Sequence, residues 1–170
     1  MMKAVKEFTQ DKLAVHIYAT REDMGQSAAA DVAKAIFSLL EKKEEINMIF
    51  GAAPSQNELL ASLCANLDIP WDRINAFHMD EYLGLDKDAP QGFGNFLKRA
   101  IFANVPFRSV NYLNGQTSDP QGECARYTSL FEKFPPDIVC LGIGENGHIA
   151  FNDPHVADFH DPAKVKVVDL

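Results

Sequence analysis

Residues 142–154, which we call the glycine–histidine turn, carry the strongest chemical signal in this sequence. An apolar run over residues 138–141 leads into the turn, as it would in a buried strand. Its chemistry-bearing residues are Gly142, Gly144, Gly147, His148 and Asn152-Asp153-Pro154. Ligands of α/β proteins bind at the carboxyl ends of parallel strands. There, His148 can exchange protons near neutral pH. Taken alone, a histidine that caps the loop and an ordinary Asn-Asp-Pro turn explain the same residues.

A pair of carboxylates, Asp80 and Glu81, follows another predicted strand, residues 74–79. A carboxylate at this position can remove a proton from a carbon next to a carbonyl group if the developing enolate is stabilised. Adjacent residues at a strand end face different ways, so we expect at most one of the two to face substrate. A helix cap or a turn is the alternative explanation.

The third candidate is the Gly51 loop, which we define as residues 51–56. A helix predicted to begin at Ser55 would offer free N–H groups and a hydroxyl to an anion such as phosphate. Ser55 and Glu58 have the spacing of a capping box, so the loop is also explained as a simple N-cap. The two roles are compatible.

Two further interpretations of the glycine–histidine turn have weaker support. Gly142-x-Gly144-x-x-Gly147, with Asp169 downstream, matches the dinucleotide fingerprint, which requires a helix that begins inside the glycines. Pro154 leaves room for two helical turns at most. Six possible metal ligands also cluster here, but their spacing matches no compact ligand motif, and we expect no metal. They are His148, Asp153, His155, Asp158, His160 and Asp161.

Strands and helices alternate along the chain, which predicts a mainly parallel sheet covered on both faces. Helices are expected from Thr20, which forms a capping box with Asp23, from Ser55 to Asn66, over 95–103, and from Asp119 to about Phe134. The predicted strands are 13–19, 46–50, 74–79, 110–113, 137–141 and 165–168.

Composition limits the possible partners and the compartment. The 170 residues suffice for one domain, and the net charge of −8 argues against a nucleic-acid partner. No run has the length of a membrane span, and we expect no secretion signal, because no positively charged segment followed by an apolar one begins this sequence. The cysteines Cys64, Cys124 and Cys140 are odd in number and far apart, which favours free thiols in the cytoplasm.

Together these motifs resemble those of the glucosamine-6-phosphate deaminase/isomerase family. The resemblance depends on residues 80–85, on Leu113-Asn114-Gly115 and on the glycine–histidine turn, which occur in the family's order along nearly the whole chain. Its most specific part is Gly147-His148-Ile149-Ala150-Phe151-Asn152. The related 6-phosphogluconolactonases share the strand–glycine–histidine arrangement but lack the Met-Asp-Glu-Tyr stretch.

The resemblance implies a three-layer αβα fold and a reaction on phosphorylated amino sugars that needs no cofactor. His148 would help to open the sugar ring, with Asn146 and Asp153 orienting it, and Asp80 would move the C2 proton as ammonia leaves. The Gly51 loop would take the phosphate. The predicted substrate or phosphate contacts are Gly51, Ala52, Ser55, Gln56, Glu81, Gly144 and Gly147.

The sequence departs from the family pattern in four respects. Asn146 stands where the family typically has aspartate, and Asp153 stands where it has glutamate. The Gly51 loop lacks the family's threonine- and glycine-rich composition. The family's C-terminal part, which supplies basic phosphate ligands and a lid, lies outside these 170 residues, so we expect residues 1–170 to form one domain without that part.

We therefore predict a cytoplasmic hexosamine-6-phosphate isomerase/deaminase that binds a small sugar phosphate. We expect no nucleic-acid or membrane partner, and the family makes a homo-oligomer possible. A non-catalytic sugar-phosphate-binding protein and a 6-phosphogluconolactonase-type hydrolase are the alternatives.

Overall fold

A four-stranded parallel sheet is the centre of the computed structural model, which describes residues 3–170. An N-terminal hairpin of β1 (Lys6–Gln10) and β2 (Leu13–Ile17) precedes it in the chain. The strands of the sheet are β3 (Ile46–Phe50), β4 (Ile74–His78), β5 (Ser109–Asn111) and β6 (Ile138–Cys140). They lie in the order β5-β4-β3-β6. Phe50 pairs with both His78 and Cys140, so three strands end level with one another. The segments that follow β3, β4 and β6 therefore begin at one edge of the sheet.

Helices cover both faces of this sheet, which confirms the predicted three-layer αβα arrangement. The helices are α1 (Arg21–Leu40), α2 (Asn57–Ala65), α3 (Phe93–Leu97, continued by a π-helical turn, Lys98–Phe102) and α4 (Pro120–Lys133). On one face, Met48 and Ala76 join a core with residues of α1, α2 and α3. On the other, Phe77 packs against Phe131 of α4, with ring centroids 5.3 Å apart. None of these helices is both long and apolar enough to cross a membrane.

The caps predicted for α1 and α4 are confirmed. Thr20 Oγ1 accepts a hydrogen bond from the Asp23 backbone N–H at 3.1 Å, and Asp119 Oδ1 accepts one from Gly122 at 2.9 Å. The capping box predicted at Ser55 is wrong. A short 3₁₀ turn (Pro54–Gln56) precedes α2, and the Glu58 carboxylate binds the Arg21 guanidinium at 2.8 and 2.9 Å instead.

Two predicted strands of the main sheet are absent from it. Residues 13–17 form β2 (Leu13–Ile17), which pairs antiparallel with β1 (Lys6–Gln10) in a separate hairpin. Nearly every residue of this hairpin is exposed, whereas a central parallel strand needs apolar residues on both faces. Residues 165–168 form no strand, since their backbone pairs with no strand of the sheet, and Lys166 Nζ contacts the Val156 carbonyl oxygen at 2.9 Å and Asp161 Oδ2 at 2.7 Å.

A line of buried and partly buried polar side chains crosses the sheet on its α4 side. Asn75 Nδ2 donates to Asn47 Oδ1 at 3.0 Å, and Ser109 Oγ donates to Asn75 Oδ1 at 2.7 Å. Asn47 Nδ2 in turn donates to the Pro135 carbonyl oxygen at 3.0 Å. The line joins β5, β4 and β3 to the segment before β6, so it fixes the strands laterally.

Candidate active site

Asp80 lies just beyond β4, at the sheet edge where the ends of β3 and β6 also meet. Its side chain is partly buried. Burial, reinforced by the charge of neighbouring Glu81, raises the pKa of Asp80 to about 6, and the nearby His148 acts in the opposite direction. A carboxylate with a pKa near neutrality is suited to accept and return a proton.

The Glu81 carboxylate points away from Asp80 towards the N-terminus of α3. Its Oε1 accepts hydrogen bonds from the N–H groups of Tyr82 and Phe93, both at 3.0 Å, and Oε2 accepts one from Gly94 at 2.8 Å. Both oxygens are thus used to cap a helix, which is the alternative considered from the sequence. The substrate contact predicted for Glu81 stays a prediction, and this placement does not favour it.

His148 belongs to a hydrogen-bonded triad with Asn146 and Asp153. His148 Nδ1 lies 2.7 Å from Asn146 Oδ1 and 3.2 Å from Asp153 Oδ1. Asn146 Nδ2 donates to Asp153 Oδ1 at 2.8 Å, and the His148 backbone N–H donates to Asn146 Oδ1 at 3.1 Å. The hydrogen bond that Asn146 donates to Asp153 lowers the pKa of this carboxyl group, and the nearby His148 acts in the same direction. Both oxygens next to Nδ1 are hydrogen-bond acceptors, so Nδ1 must carry a proton. Nε2 is then the ring nitrogen that is available for proton exchange.

Glycines shape the turn that presents His148. A Cβ atom on Gly144 would lie 2.3 to 2.6 Å from three atoms of the His148 ring, so the ring packs directly on this glycine. Gly147 has a φ of +87°, in the left-handed region that favours glycine. Its N–H donates to the Gly144 carbonyl oxygen at 2.9 Å. Both glycines therefore have a structural role, and their predicted substrate contact remains a prediction.

An aromatic cluster joins the glycine–histidine turn to the segment that carries Asp80. The ring of Phe151 lies 5.1 Å from Tyr82 and 5.6 Å from Phe93, measured between centroids, and Tyr82 lies 4.9 Å from Phe93. The cluster packs residues from three separate segments together. It explains how the site is assembled from positions some 70 residues apart along the chain.

The Gly51 loop lies beside the start of the glycine–histidine turn. The Gly51 N–H donates to the Cys140 carbonyl oxygen at 2.8 Å, and a Cβ atom on Gly142 would lie 3.0 Å from Ser55 Oγ. Gln56 is 6% exposed; its Nε2 donates to Ser55 Oγ at 3.3 Å, and its Oε1 is buried without a hydrogen-bond partner among the described residues. The loop thus brings Ser55 and Gln56 to the same sheet edge as Asp80, with Ala52 partly buried in the same loop.

The alternative interpretations of the turn find no support in the geometry. Residues 141–170 form neither a helix nor a strand, so the helix that a dinucleotide fingerprint requires does not begin at these glycines. Within residues 3–170, no group of three or more His, Cys, Asp or Glu side chains is placed to hold a metal ion. A cavity of about 870 Å³ reaches Asp80 and Gly147, and residues 157–170 line its far side.

Sequence reasoning included His78 in the candidate stretch of residues 78–82 without assigning it a role, and it missed Tyr127. Tyr127 is buried; its hydroxyl accepts a hydrogen bond from the His78 N–H at 3.1 Å and lies 2.9 Å from the His78 carbonyl oxygen and 3.0 Å from that of Asn111. It thereby anchors the ends of β4 and β5 to α4. The signal in the sequence was a histidine two residues before Asp80, but its partners lie far along the chain.

The fold and this arrangement define a three-layer αβα protein with acid–base side chains at the carboxyl ends of its parallel strands. The sequence profile described as glucosamine-6-phosphate isomerases/6-phosphogluconolactonase matches residues 19–167. The chain belongs to this family, which confirms the resemblance found in its motifs.

Curated relatives agree with this assignment. A glucosamine-6-phosphate deaminase of Exiguobacterium sp. is 45% identical over 84 residues, which are 49% of this chain and 33% of the relative. A glucosamine-6-phosphate deaminase of Clostridium acetobutylicum is 32% identical over 153 residues, 88% of this chain and 61% of the relative. The chain spans about half the length of the curated relatives it matches.

Solved structures place the fold in the same group. A monomeric glucosamine-6-phosphate deaminase has a TM-score of 0.69 at 28% identity, covering 79% of this chain and 57% of that chain. A 6-phosphogluconolactonase from Plasmodium vivax has a TM-score of 0.77 at 16% identity, covering 88% of this chain and 55% of that chain. At that identity the second similarity concerns the fold alone.

Proposed function

We propose that this protein is a hexosamine-6-phosphate isomerase/deaminase. The observation that carries the proposal is the pairing of two groups at one sheet edge. Asp80 has a pKa of about 6, and His148 lies close enough to influence that pKa while Asn146 and Asp153 hold its ring. The curated relatives named glucosamine-6-phosphate deaminase support the substrate class.

In this mechanism the two side chains act in sequence. His148 uses its Nε2 to exchange a proton with the sugar as the pyranose ring opens, because its Nδ1 is engaged by Asn146 and Asp153. Asp80 then takes the proton from C2 of the open-chain aldose and returns it to C1. The resulting ketose imine is hydrolysed by water to a ketohexose phosphate and ammonia. Asn146 orients His148 through its amide oxygen, and the negative charge next to the ring comes from Asp153.

Phosphate binding is proposed for the Gly51 loop. Ser55 Oγ and the Gln56 amide lie at the same sheet edge as Asp80, beside the N-terminus of α2, which no side chain caps and which favours an anion. Gly51, Ala52, Ser55 and Gln56 would make these contacts. That this chain forms a homo-oligomer, which its family makes possible, remains a prediction.

A panel of three substrates tests the proposal. The purified protein is incubated with glucosamine 6-phosphate, galactosamine 6-phosphate and 6-phosphogluconolactone, and ammonia, ketose and acid are measured separately. We expect ammonia and ketose in equal amounts from one hexosamine phosphate. Acid from the lactone alone would show a lactonase, and ligand-induced stabilisation without any turnover would show a sugar-phosphate-binding protein.

Replacing Asp80 with asparagine tests its role in the reaction. We expect Asp80→Asn to lower kcat by about 10²–10⁴-fold, the usual contribution of a positioned acid–base group. Thermal stabilisation by the hexosamine phosphate should persist, because asparagine has nearly the same shape. A variant with the kcat of the wild type would remove Asp80 from the mechanism.

A further inference from the structure

His78 ends β4, two residues before Asp80, and it is completely buried. Each of its ring nitrogens contacts a backbone group of a different segment. Nδ1 lies 3.0 Å from the Asp80 carbonyl oxygen, and Nε2 lies 2.9 Å from the Leu113 backbone nitrogen. The ring thus bridges the segment after β4 and the segment after β5, although Leu113 lies 35 residues from His78 along the chain.

These two partners determine the tautomer of His78. A backbone N–H can only donate and a carbonyl oxygen can only accept. Nε2 must therefore be the unprotonated acceptor for Leu113, and Nδ1 must carry the proton that it donates to Asp80. The neutral ring satisfies both contacts, whereas a protonated ring would lose the bond from Leu113. Burial lowers the pKa of His78, which agrees with a neutral ring.

The Asp80 carboxylate depends on this backbone contact for its position. Within residues 3–170 its oxygens take part in no hydrogen bond, so the hydrogen bond that holds this residue is the one to its backbone carbonyl oxygen. His78 fixes the Asp80 carbonyl oxygen, and the Glu81 carboxylate fixes the next residue by binding the N-terminus of α3. Asp80 therefore lies between two fixed points.

We propose that His78, held as the Nδ1–H tautomer, is the positioning residue for the Asp80 carboxylate. It ties the peptide that carries the proton-transfer group to the segment after β5. The proposal rests on the proposed function, in which Asp80 moves the substrate proton. Because His78 is separated from the substrate by that peptide, its effect should fall on kcat and not on substrate binding.

Two amide variants separate the two ring contacts. In His78→Asn the amide nitrogen can take the place of Nδ1 and donate to Asp80, but the acceptor for Leu113 is lost. In His78→Gln the amide oxygen can reach the place of Nε2 and accept from Leu113, but the donor to Asp80 is lost. Each variant replaces one buried ring with one amide and keeps one contact, so the two form a matched pair. Their unfolding free energies are measured to show that both are folded.

A positioning role of His78 predicts unequal kcat values for the variants His78→Asn and His78→Gln. We expect kcat of His78→Gln to be about 10²-fold below that of His78→Asn, with KM within a few-fold for both. Equal losses of kcat in the two variants, or a greater loss in His78→Asn, would assign His78 a purely structural role. A ¹⁵N spectrum of the wild-type protein should show a protonated Nδ1 and an unprotonated Nε2, and the opposite tautomer would also overturn the proposal.

The proposal remains testable if the proposed function fails. Should the wild-type protein turn over none of the three substrates, the ¹³C shift of the Asp80 carboxyl group is titrated in both variants. His78→Gln should move that titration away from the wild-type curve more than His78→Asn does. Identical curves would refute the positioning role independently of any activity.

Discussion

Asp80 is a carboxylate held in an environment that disfavours its charge. Partial burial and the neighbouring Glu81 both raise its pKa, and the fold keeps it there by tying down the residues on either side. Such a group is held ready for proton transfer at a cost in stability, as is common where a fold positions reactive groups.

The raised pKa predicts a specific pH dependence of stability. The ordinary pKa of aspartate is 3.8 and that of Asp80 is about 6, so between these values the folded state binds more protons than the unfolded state. The contribution of Asp80 to the stability of the folded state therefore falls as the pH rises from about 4 to 6. Asp80→Asn lacks this penalty and should be more stable than the wild type at pH 7 by up to about 3 kcal/mol, with no difference below pH 4.

Denaturant unfolding of both proteins at pH 4, 5, 6 and 7 measures this difference. Parallel pH profiles for wild type and variant would mean that Asp80 has an ordinary pKa. In the active protein the same titration should appear as an acid limb of kcat/KM near pH 6.

Asn146 is one of the positions at which this chain departs from the pattern of the family it resembles, and its contacts predict what aspartate at this position would do. Asn146→Asp would replace the N–H donated to Asp153 with a second carboxylate at the same short distance. Two carboxylates so close do not both ionise readily, so the pKa of one rises. We expect a lower unfolding free energy than that of the wild type at pH 7 and a smaller deficit at pH 4, measured by denaturant titration.

The double variant Asn146→Asp with Asp153→Asn is the matched control. It exchanges the two groups, so an amide again donates to a carboxylate beside the His148 ring. Stability at pH 7 should return close to the wild-type value. A single variant as stable as the wild type would show that residues 146 and 153 are not in contact in solution.

At the scale of elements, the glycine–histidine turn is a support for one imidazole ring. Gly144→Ala would place a methyl group against the His148 ring, and neither the ring nor the backbone behind it can move without breaking the triad. We expect kcat to fall by about 10²-fold, the usual effect of displacing a catalytic group by about 1 Å.

Gly84→Ala distinguishes this clash from general backbone strain. Gly84 has a φ of +83°, and a Cβ atom there would meet nothing within 4 Å. This variant should lose about 1–2 kcal/mol of unfolding free energy with no change in kcat. Equal effects of the two variants on kcat would remove the proposed packing of His148 on Gly144.

At the scale of the whole molecule, the buried polar line across the sheet holds the strands in one register. Asn75 is 2% exposed and is the central link, since it contacts both Asn47 and Ser109. Replacing it with valine would leave the Asn47 Oδ1 acceptor and the Ser109 hydroxyl donor without the partners that Asn75 supplies. We expect the unfolding free energy to fall by about 2 kcal/mol or more.

The triple variant Asn47→Val, Asn75→Val and Ser109→Val tests whether the loss comes from unsatisfied partners. Removing the whole line should restore part of the stability lost in the single variant, because fewer buried polar groups then lack a partner. A triple variant that loses the sum of the three single effects would show that the contacts act independently.

The sequence by itself determined the elements whose signals are local. Continuous apolar runs predicted β3, β4 and β6, the caps at Thr20 and Asp119 marked the starts of α1 and α4, and the glycines marked the turn that presents His148. Each of these signals depends on neighbours within a few residues, where backbone sterics and short hydrogen bonds dominate.

Only the tertiary structure decided which contacts these elements make. It placed β2 in a hairpin outside the main sheet, turned the Glu81 carboxylate to the N-terminus of α3, and fixed the tautomer of His78 through Leu113. It also set the pKa of Asp80, because burial and neighbouring charges exist only after the chain has folded. The partners of Glu81 and His78 lie 12 and 35 residues away along the chain, and no local pattern records them.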